Sequence, residues 1–319
     1  MSYDCIVVGG GPAGLSGALM LGRCRRSVLV CDAGQPRNAR SSGLHGYLTR
    51  DGMQPGEFLR LARQDLTRYP TVEFHRGEVI EARRTSGGFS VVCTGGLRLS
   101  ARKLLLATGV VDEIPDIEGL EELYGKSVHH CPYCDAWEWR DQPLVVYGRA
   151  EPGTALALAL TIWSDDVVLC TDGPSGLSEE EAQQLDEAGV EVREDRVVRL
   201  EGRDRLLERV VFAEGDPLPR QALFFCSGQH QRSELAAKLG ARFNPKGTVD
   251  TGSCEVTNVP GLYVAGDASK EAQFVVVAAA EGTAAGMAIN TALLKDDLAQ
   301  KRNSIPSRTS RGGPYAKRG

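Results

Sequence analysis

The chain has 319 residues, with 42% apolar and 25% charged side chains and a formal net charge of −5. This is the balance of a globular protein with room for two domains; the charge gives no general reason to bind nucleic acid, and no run reaches the roughly 18 apolar residues of a membrane span. Nine cysteines, an odd number spread over a long chain, make a poor disulfide scaffold, and an N-terminus without a basic start reads as strand, turn and helix rather than as a signal peptide, so a cytoplasmic location is the default expectation.

Residues 3–8, YDCIVV, are a short apolar β-run. GGGPAG follows, then LSGALMLGR with helical spacing, then the strand SVLVC, which ends at Asp32. The unit is βαβ. Gly9, Gly11 and Gly14 place G-x-G-x-x-G between strand and helix. The first glycine makes the tight turn, the second lets backbone approach a pyrophosphate, and the third lets helix and strand pack closely. The N–H groups of the helix start then face phosphate, favoured by the helix dipole. Asp32 is placed to accept hydrogen bonds from ribose hydroxyls. The motif does not distinguish FAD from NAD.

A loop rich in Gly, Arg and Ser spans 34–56, and 56–69 is an amphipathic helix. Residues 72–106 alternate with period two and predict a small antiparallel sheet ending in KLLLATG. Pro115 and PDIEG mark a change of segment. PLVVYG (143–148), a glycine-spaced turn, the helix TALALALTIW and the strand DVVLCTD form a second βαβ unit. An acidic helix and further strands fill 178–226. LYVAGD (262–267) is a strand and turn, followed by a long Ala-rich helix over 273–294. From residue 300 the chain is basic, rich in Ser, Gly and Pro, and reads as a flexible tail.

Cys5, Cys31, Cys93, Cys170 and Cys226 lie in apolar runs and read as small buried hydrophobes. Cys24 and Cys254 carry no signal. Only Cys131 and Cys134, in HHCPYCDAWE, have chemical spacing. Structural zinc, inert core thiols and a redox pair are all open to a C-x-x-C. Zinc needs four ligands; His129 and His130 are adjacent, so their side chains diverge, and there is no second C-x-x-C. A redox pair is favoured, since this spacing brings two sulfurs within disulfide reach. Asp135 reads either as a helix N-cap or as an acid/base group, and the two histidines as ordinary loop or core residues.

GGGPAG, the ATG at 107–109, C-x-x-C-D at 131–135 and VPGLYVAGDA together resemble the low-molecular-weight thioredoxin reductase family over residues 1–295. CPYCDAWE and HGYLTRDG are similar to its subgroups that oxidise dithiols in small natural products, and to cyanobacterial-type reductases that use no nicotinamide donor. The resemblance implies an α/β fold of two Rossmann-like dinucleotide-binding domains, the second inserted in the first. Residues 1–111 and 244–295 would form the FAD domain, 112–243 the inserted domain with the C-x-x-C, and 296–319 the basic tail. It implies FAD held by Gly9, Gly11, Gly14, Asp32, Gly109, Gly266, Asp267 and Gln273. Cys134 would face the flavin, Cys131 would exchange with substrate, and Asp135 would be the general acid/base. It also implies a homodimer, and a thioredoxin-like protein or a small dithiol or disulfide as substrate.

The second nucleotide site departs from the NADPH pattern. Gly148 and Gly153 hold the outer fingerprint positions, but Ala150 stands at the middle one, where a β-carbon crowds the face a pyrophosphate must approach. VVLCTDGPSG has no arginine for a 2′-phosphate, and Asp172 would repel one. NADPH is thus disfavoured; NADH, a second FAD or no occupant is expected, with ferredoxin an alternative donor for the basic tail and Tyr315 a candidate flavin cover. No metal is expected. The expected activity is a flavin-dependent thiol–disulfide oxidoreductase of thioredoxin reductase type. A dithiol oxidase using oxygen and a redox sensor without turnover are the alternatives.

Overall fold

The structure, a computed structural model, describes residues 2–304. Strand β1 (Ser2–Val8) leads directly into helix α1 (Pro12–Arg23), whose first residue is a proline with φ already set for a helix. β2 (Val28–Asp32) pairs parallel with β1, matching Cys5 to Val28 and Val8 to Cys31. After α2 (Pro55–Leu66), β3 (Val72–Arg76) adds in parallel to β2. β4 (Val79–Thr85), β5 (Gly88–Cys93) and β6 (Arg98–Leu106) form an antiparallel meander, and the far side of β6 lies parallel to β1. The prediction for 72–106 therefore needs correcting. Only β4, β5 and β6 pair antiparallel; β3 is the edge of the parallel sheet. As an edge strand β3 is largely solvated, so it lacks the continuous apolar run that marks a central parallel strand.

β7 (Val110–Asp112) leaves this unit and returns as its antiparallel partner β16 (Gln229–Gln231). Between them run α3 (Leu120–Leu123), β8 (Val128–His129), α4 (Pro132–Asp135) and a 3₁₀ turn, Ala136–Trp139. β9 (Leu144–Tyr147), α5 (Ala150–Leu160), β10 (Val167–Cys170), α6 (Glu179–Glu187) and β11 (Glu191–Arg193) follow. The segment closes with β12 (Val197–Arg203), β13 (Leu206–Phe212), β14 (Leu218–Pro219) and β15 (Ala222–Phe225). Here the parallel order is β11-β10-β9-β15-β8, with β12-β13-β14 as a separate antiparallel layer. β10 and β15 are buried at every residue, as their unbroken apolar sequences require.

After β16, α7 (Leu235–Lys238) places Leu235 and Ala236 in the core of the first sheet, beside Tyr3, Ile6 and Phe89. Core membership thus returns to the first unit ahead of residue 244. β17 (Leu262–Val264) pairs parallel with β6. The last helix, α8 (Val275–Ser304), runs nine residues past 295, so the start of the expected tail is helical. Asp297 there pairs with Arg26 at 2.8 Å and Arg102 at 2.7 Å, and Asp296 with Lys103 at 2.8 Å. Tyr315, like the rest of 305–319, lies outside the described residues.

α8 is long and apolar enough to cross a membrane by length and composition alone, although none was expected from the sequence. Its composition has a packing cause. A Cβ at Gly282 would sit 1.9 Å from the carbonyl oxygen of Ala13, and one at Gly286 2.9 Å from that of Gly17. α8 therefore presses backbone to backbone on α1, and Ala285, Ile289 and Leu293 are fully buried. Two parallel-sheet units, the second inserted in the first, are the α/β fold that the sequence predicts.

Candidate active site

A cavity of about 480 Å³ lies between the two units. That is within the size range of cofactor pockets. Its floor is the glycine loop. A Cβ at Gly9 (φ +109°) would lie 2.2 Å from the oxygen of Ala107, and one at Gly14 1.9 Å from the oxygen of Gly9. Gly11 instead faces open space, with no atom within 4 Å of where its Cβ would be. The start of α1 carries no side-chain cap and no acid in its first turn. An uncapped helix start offers N–H groups and positive potential to an anion. Asp32 Oδ1 accepts from the N–H of Gly10 at 3.2 Å and of Gly34 at 3.1 Å, and Arg63 pairs with Oδ2 at 2.5 Å. Together with Gly109 on the cavity wall, this cradle fits a dinucleotide.

The opposite wall holds Gly266, Asp267 and Gln273. Arg37 reaches them from the loop after β2, donating to Asp267 and Gln273 at 2.8 and 2.6 Å. It also forms a two-pronged pair with Asp112, whose side chain is only 6% exposed. Burial pushes the Asp112 carboxyl up, but the hydrogen bond and charge of Arg37, with His130, outweigh it and hold the group below its ordinary value. Tyr124 lies 3.3 Å from Asp112 Oδ2 and 3.0 Å from His130 Nδ1. Burial lowers the His130 pKa more than Asp112 raises it, so the ring is neutral at pH 7.

Between these walls sits the dithiol. Cys131 and Cys134 are joined in a disulfide with Cα atoms 5.3 Å apart, and both line the cavity. A disulfide offers no thiolates to zinc; among the described residues no group of three or more His, Cys, Asp or Glu is arranged around a metal position. Pro132 opens α4 directly after Cys131, fixing the loop. Asp135 makes no capping bond; its carboxylate lies 3.3 Å from Nδ1 of His129, which is 3% exposed. The indole N–H of Trp139 donates to His129 Nε2 at 3.0 Å. Since an indole can only donate, Nε2 must accept, and the ring proton sits on Nδ1, aimed at Asp135. The Lys126 carbonyl, 3.1 Å from Nε2, would receive a proton only if the indole bond were given up. The adjacent histidines do diverge: His129 serves Asp135, and His130 faces Tyr124 and Arg37.

The pyridine nucleotide-disulphide oxidoreductase family matches residues 3–282. A probable thioredoxin reductase of Arthroderma benhamiae is 32% identical over 84% of this chain and 74% of its own. The thioredoxin reductase tcpT of Claviceps purpurea is 32% identical over 93% of this chain and 96% of its own. The crystal structure of HlmI is similar with a TM-score of 0.91 and 38% identity, covering 95% of this chain and 96% of that one. The chain belongs to the pyridine nucleotide-disulphide oxidoreductase family. It is a thioredoxin-reductase-like flavoprotein oxidoreductase, and family membership implies FAD, which the glycine cradle fits.

At the second glycine turn the chain's own groups bond to one another. Gly148 and Gly153 serve helix–strand packing: a Cβ on Gly153 would meet the Gly148 carbonyl carbon at 2.7 Å. Ala150 adopts φ +48°, and its N–H donates to the carbonyl of Ser175 at 3.0 Å. The side chain of Arg149 lies across the loop, donating to the Thr171 carbonyl at 2.5 Å and to the Asp172 carbonyl. Asp172 takes the Val197 N–H at 2.8 Å and the Tyr147 hydroxyl at 3.0 Å, one on each carboxylate oxygen. These two bonds fix the Asp172 carboxylate within the fold. Burial, then Asp172, push the Tyr147 phenol up to about 12, so it stays protonated as that donor.

Sequence reasoning missed Arg37, Arg63, Asp112, Tyr124, Trp139 and Arg149. Trp139 lies one residue past the end of the quoted motif, and Arg149 inside the second glycine turn. The other four gave no local signal, since only tertiary contacts join them to the site.

Proposed function

We propose that this enzyme carries electron pairs from a substrate dithiol through Cys131–Cys134 to FAD, and from there to oxygen. The observation that carries this reading is that the disulfide and the dinucleotide cradle line one cavity. Ala150 at the middle fingerprint position and Arg149 lying across the second glycine turn support the direction, since both disfavour a nicotinamide donor there. A substrate thiolate attacks Cys131, breaking the disulfide and leaving Cys134 as a thiolate. The second substrate thiolate attacks the mixed disulfide, releasing oxidised substrate and leaving Cys131 reduced. FAD supplies the electron acceptor for the resulting dithiol. Asp135 exchanges the proton at the sulfurs, and His129, through its Nδ1–H, holds that carboxylate toward them. His130, bound to Tyr124 and Arg37, braces the chain just ahead of Cys131. The substrate is a small dithiol or a thioredoxin-like protein.

The names of the relatives favour a second reading, reduction of a thioredoxin-like disulfide; ferredoxin is our candidate donor for it. Anaerobic mixing of the purified enzyme with dithiothreitol, reduced thioredoxin, NADH or NADPH separates the two. The dithiols should bleach the flavin absorbance and air should restore it with hydrogen peroxide formed, while neither nicotinamide bleaches it. Rapid bleaching by NADPH would sink the proposal. Cys131→Ser and Cys134→Ser should each abolish bleaching by dithiols.

A further inference from the structure

Glu281, on α8, is 8% exposed and is not part of the cavity lining. Its Oε2 accepts the N–H of Gly266 at 2.7 Å. Gly266 has φ +79°, a Cβ there would stand 3.0 Å from that of Ala13, and the next residue is Asp267 on the cavity wall. The following residue on α8 is Gly282, where the helix touches the carbonyl of Ala13 in the first turn of α1. One carboxyl thus sits where both dinucleotide-holding elements and α8 meet.

The charged groups that face it are Glu255 from the 3₁₀ turn Ser253–Glu255, and Lys270 and Asp267 from the loop before α8; α1 carries no charged side chain ahead of Arg23 in its last turn. Lys270 is engaged with Glu255 and Thr251, each at 3.2 Å, and Asp267 with Arg37. The bonding partner of Glu281 is therefore an amide, not a cation. Burial first, then Glu255 and Asp267, push this carboxyl up to about 7, against the pull of the Gly266 N–H and Lys270.

We infer that Glu281 is a positioning residue that couples its own protonation to dinucleotide binding: the neutral carboxyl favours, and the ionised carboxylate opposes, the arrival of negative phosphates at α1 and the Gly266 turn. The bond from Gly266 survives either way, because the carboxyl C=O also accepts. Charge is what changes, and in a buried site it acts over a long reach. Binding of FAD then draws a proton from solvent near neutral pH. The inference rests on FAD occupying the first cradle.

Flavin-stripped protein titrated with FAD at pH 6 and pH 8, followed by flavin fluorescence, tests it. Wild-type protein should bind FAD roughly three- to tenfold more tightly at pH 6. Glu281→Gln keeps the Gly266 bond and carries no charge, so it should bind at pH 8 as tightly as wild type does at pH 6, with little pH dependence. A dye-monitored mixing of wild-type apoprotein with FAD at pH 7 should show net proton uptake, and needs no variant. Equal wild-type affinity at the two pH values, no proton uptake, or a wild-type pH profile in Glu281→Gln would overturn the inference. The last result would assign the effect to another group on the cavity wall. Absence of FAD binding at any pH would instead overturn the cofactor reading.

Discussion

At the scale of single residues, the Arg37–Asp112 pair ties the loop after β2 to the strand that leads into the dithiol unit. Breaking a buried ion pair leaves one charge without its partner. Asp112→Asn should cost about 2 kcal/mol, below the usual figure for a buried pair because Arg37 keeps Asp267 and is partly solvated. The folded-state pKa of Asp112 is depressed, so its contribution is present above the unfolded carboxylate value and is lost as pH falls through the folded one. The variant should therefore show a shallower loss of stability on acidification than wild type, as measured by urea unfolding at pH 7 and in the acid range. Trp139→Phe removes the indole donor that fixes the His129 tautomer. About 1 kcal/mol of stability should go with it, and the rate of flavin bleaching by dithiol should change its pH dependence; an unchanged pH profile would remove His129 from the proton path. Of this scale the sequence showed the two cysteines, Asp135 and the glycines, because spacing along the chain is itself their chemistry. It was silent on Arg37, Asp112 and Glu281: Arg37 lies 75 residues from Asp112 and 230 from Asp267, and Glu281 lies 15 from Gly266, so only the fold brings these partners together.

At the scale of elements, the crossing of α1 and α8 decides the sign of a simple substitution. Gly282→Ala gains about 1 kcal/mol of helix propensity. The new methyl would lie 1.9 Å from a backbone oxygen that cannot swing away. Overpacking of this kind costs about 1–3 kcal/mol or more, and it displaces the helix start that receives the cofactor. A lower melting temperature together with weaker flavin retention is expected; a rise in melting temperature would show that the helices can part freely. Glycine and alanine on α8 were visible in the sequence as an Ala-rich apolar helix, but the same composition serves a helix against a helix and a helix in lipid. The β-strands were legible where burial is two-sided, as in β10 and β15. β3 was misassigned since its edge position leaves it half solvated, and periodicity reports exposure rather than strand direction.

For the whole molecule, the C-terminal end of α8 closes the chain back on its beginning. Arg26, Arg102 and Lys103 are held by Asp296 and Asp297. These groups are partly exposed, so the cluster is worth modest energy and is screened by salt. The double variant Asp296→Asn, Asp297→Asn should lose about 1 kcal/mol at low ionic strength and be nearly indistinguishable from wild type in 1 M salt, as thermal unfolding in the two buffers would show. The inserted arrangement was legible because two glycine turns lie far apart and one late strand resembles a flavin-binding element. The bonding of the second turn was not, since the sequence shows a missing glycine and a missing arginine but not the carbonyls that Arg149 and the Ala150 N–H bind.

That interlocking of the second glycine turn constrains which single changes it tolerates. Ala150→Gly alone would still leave the Ser175 carbonyl on the helix start and the Arg149 guanidinium across the loop. Replacing Arg149 alone strips two backbone oxygens of their donor, and replacing Asp172 alone strands a phenol and an amide. Each single replacement thus weakens the turn, so its conformation is held by side chains that can be exchanged without cost only together.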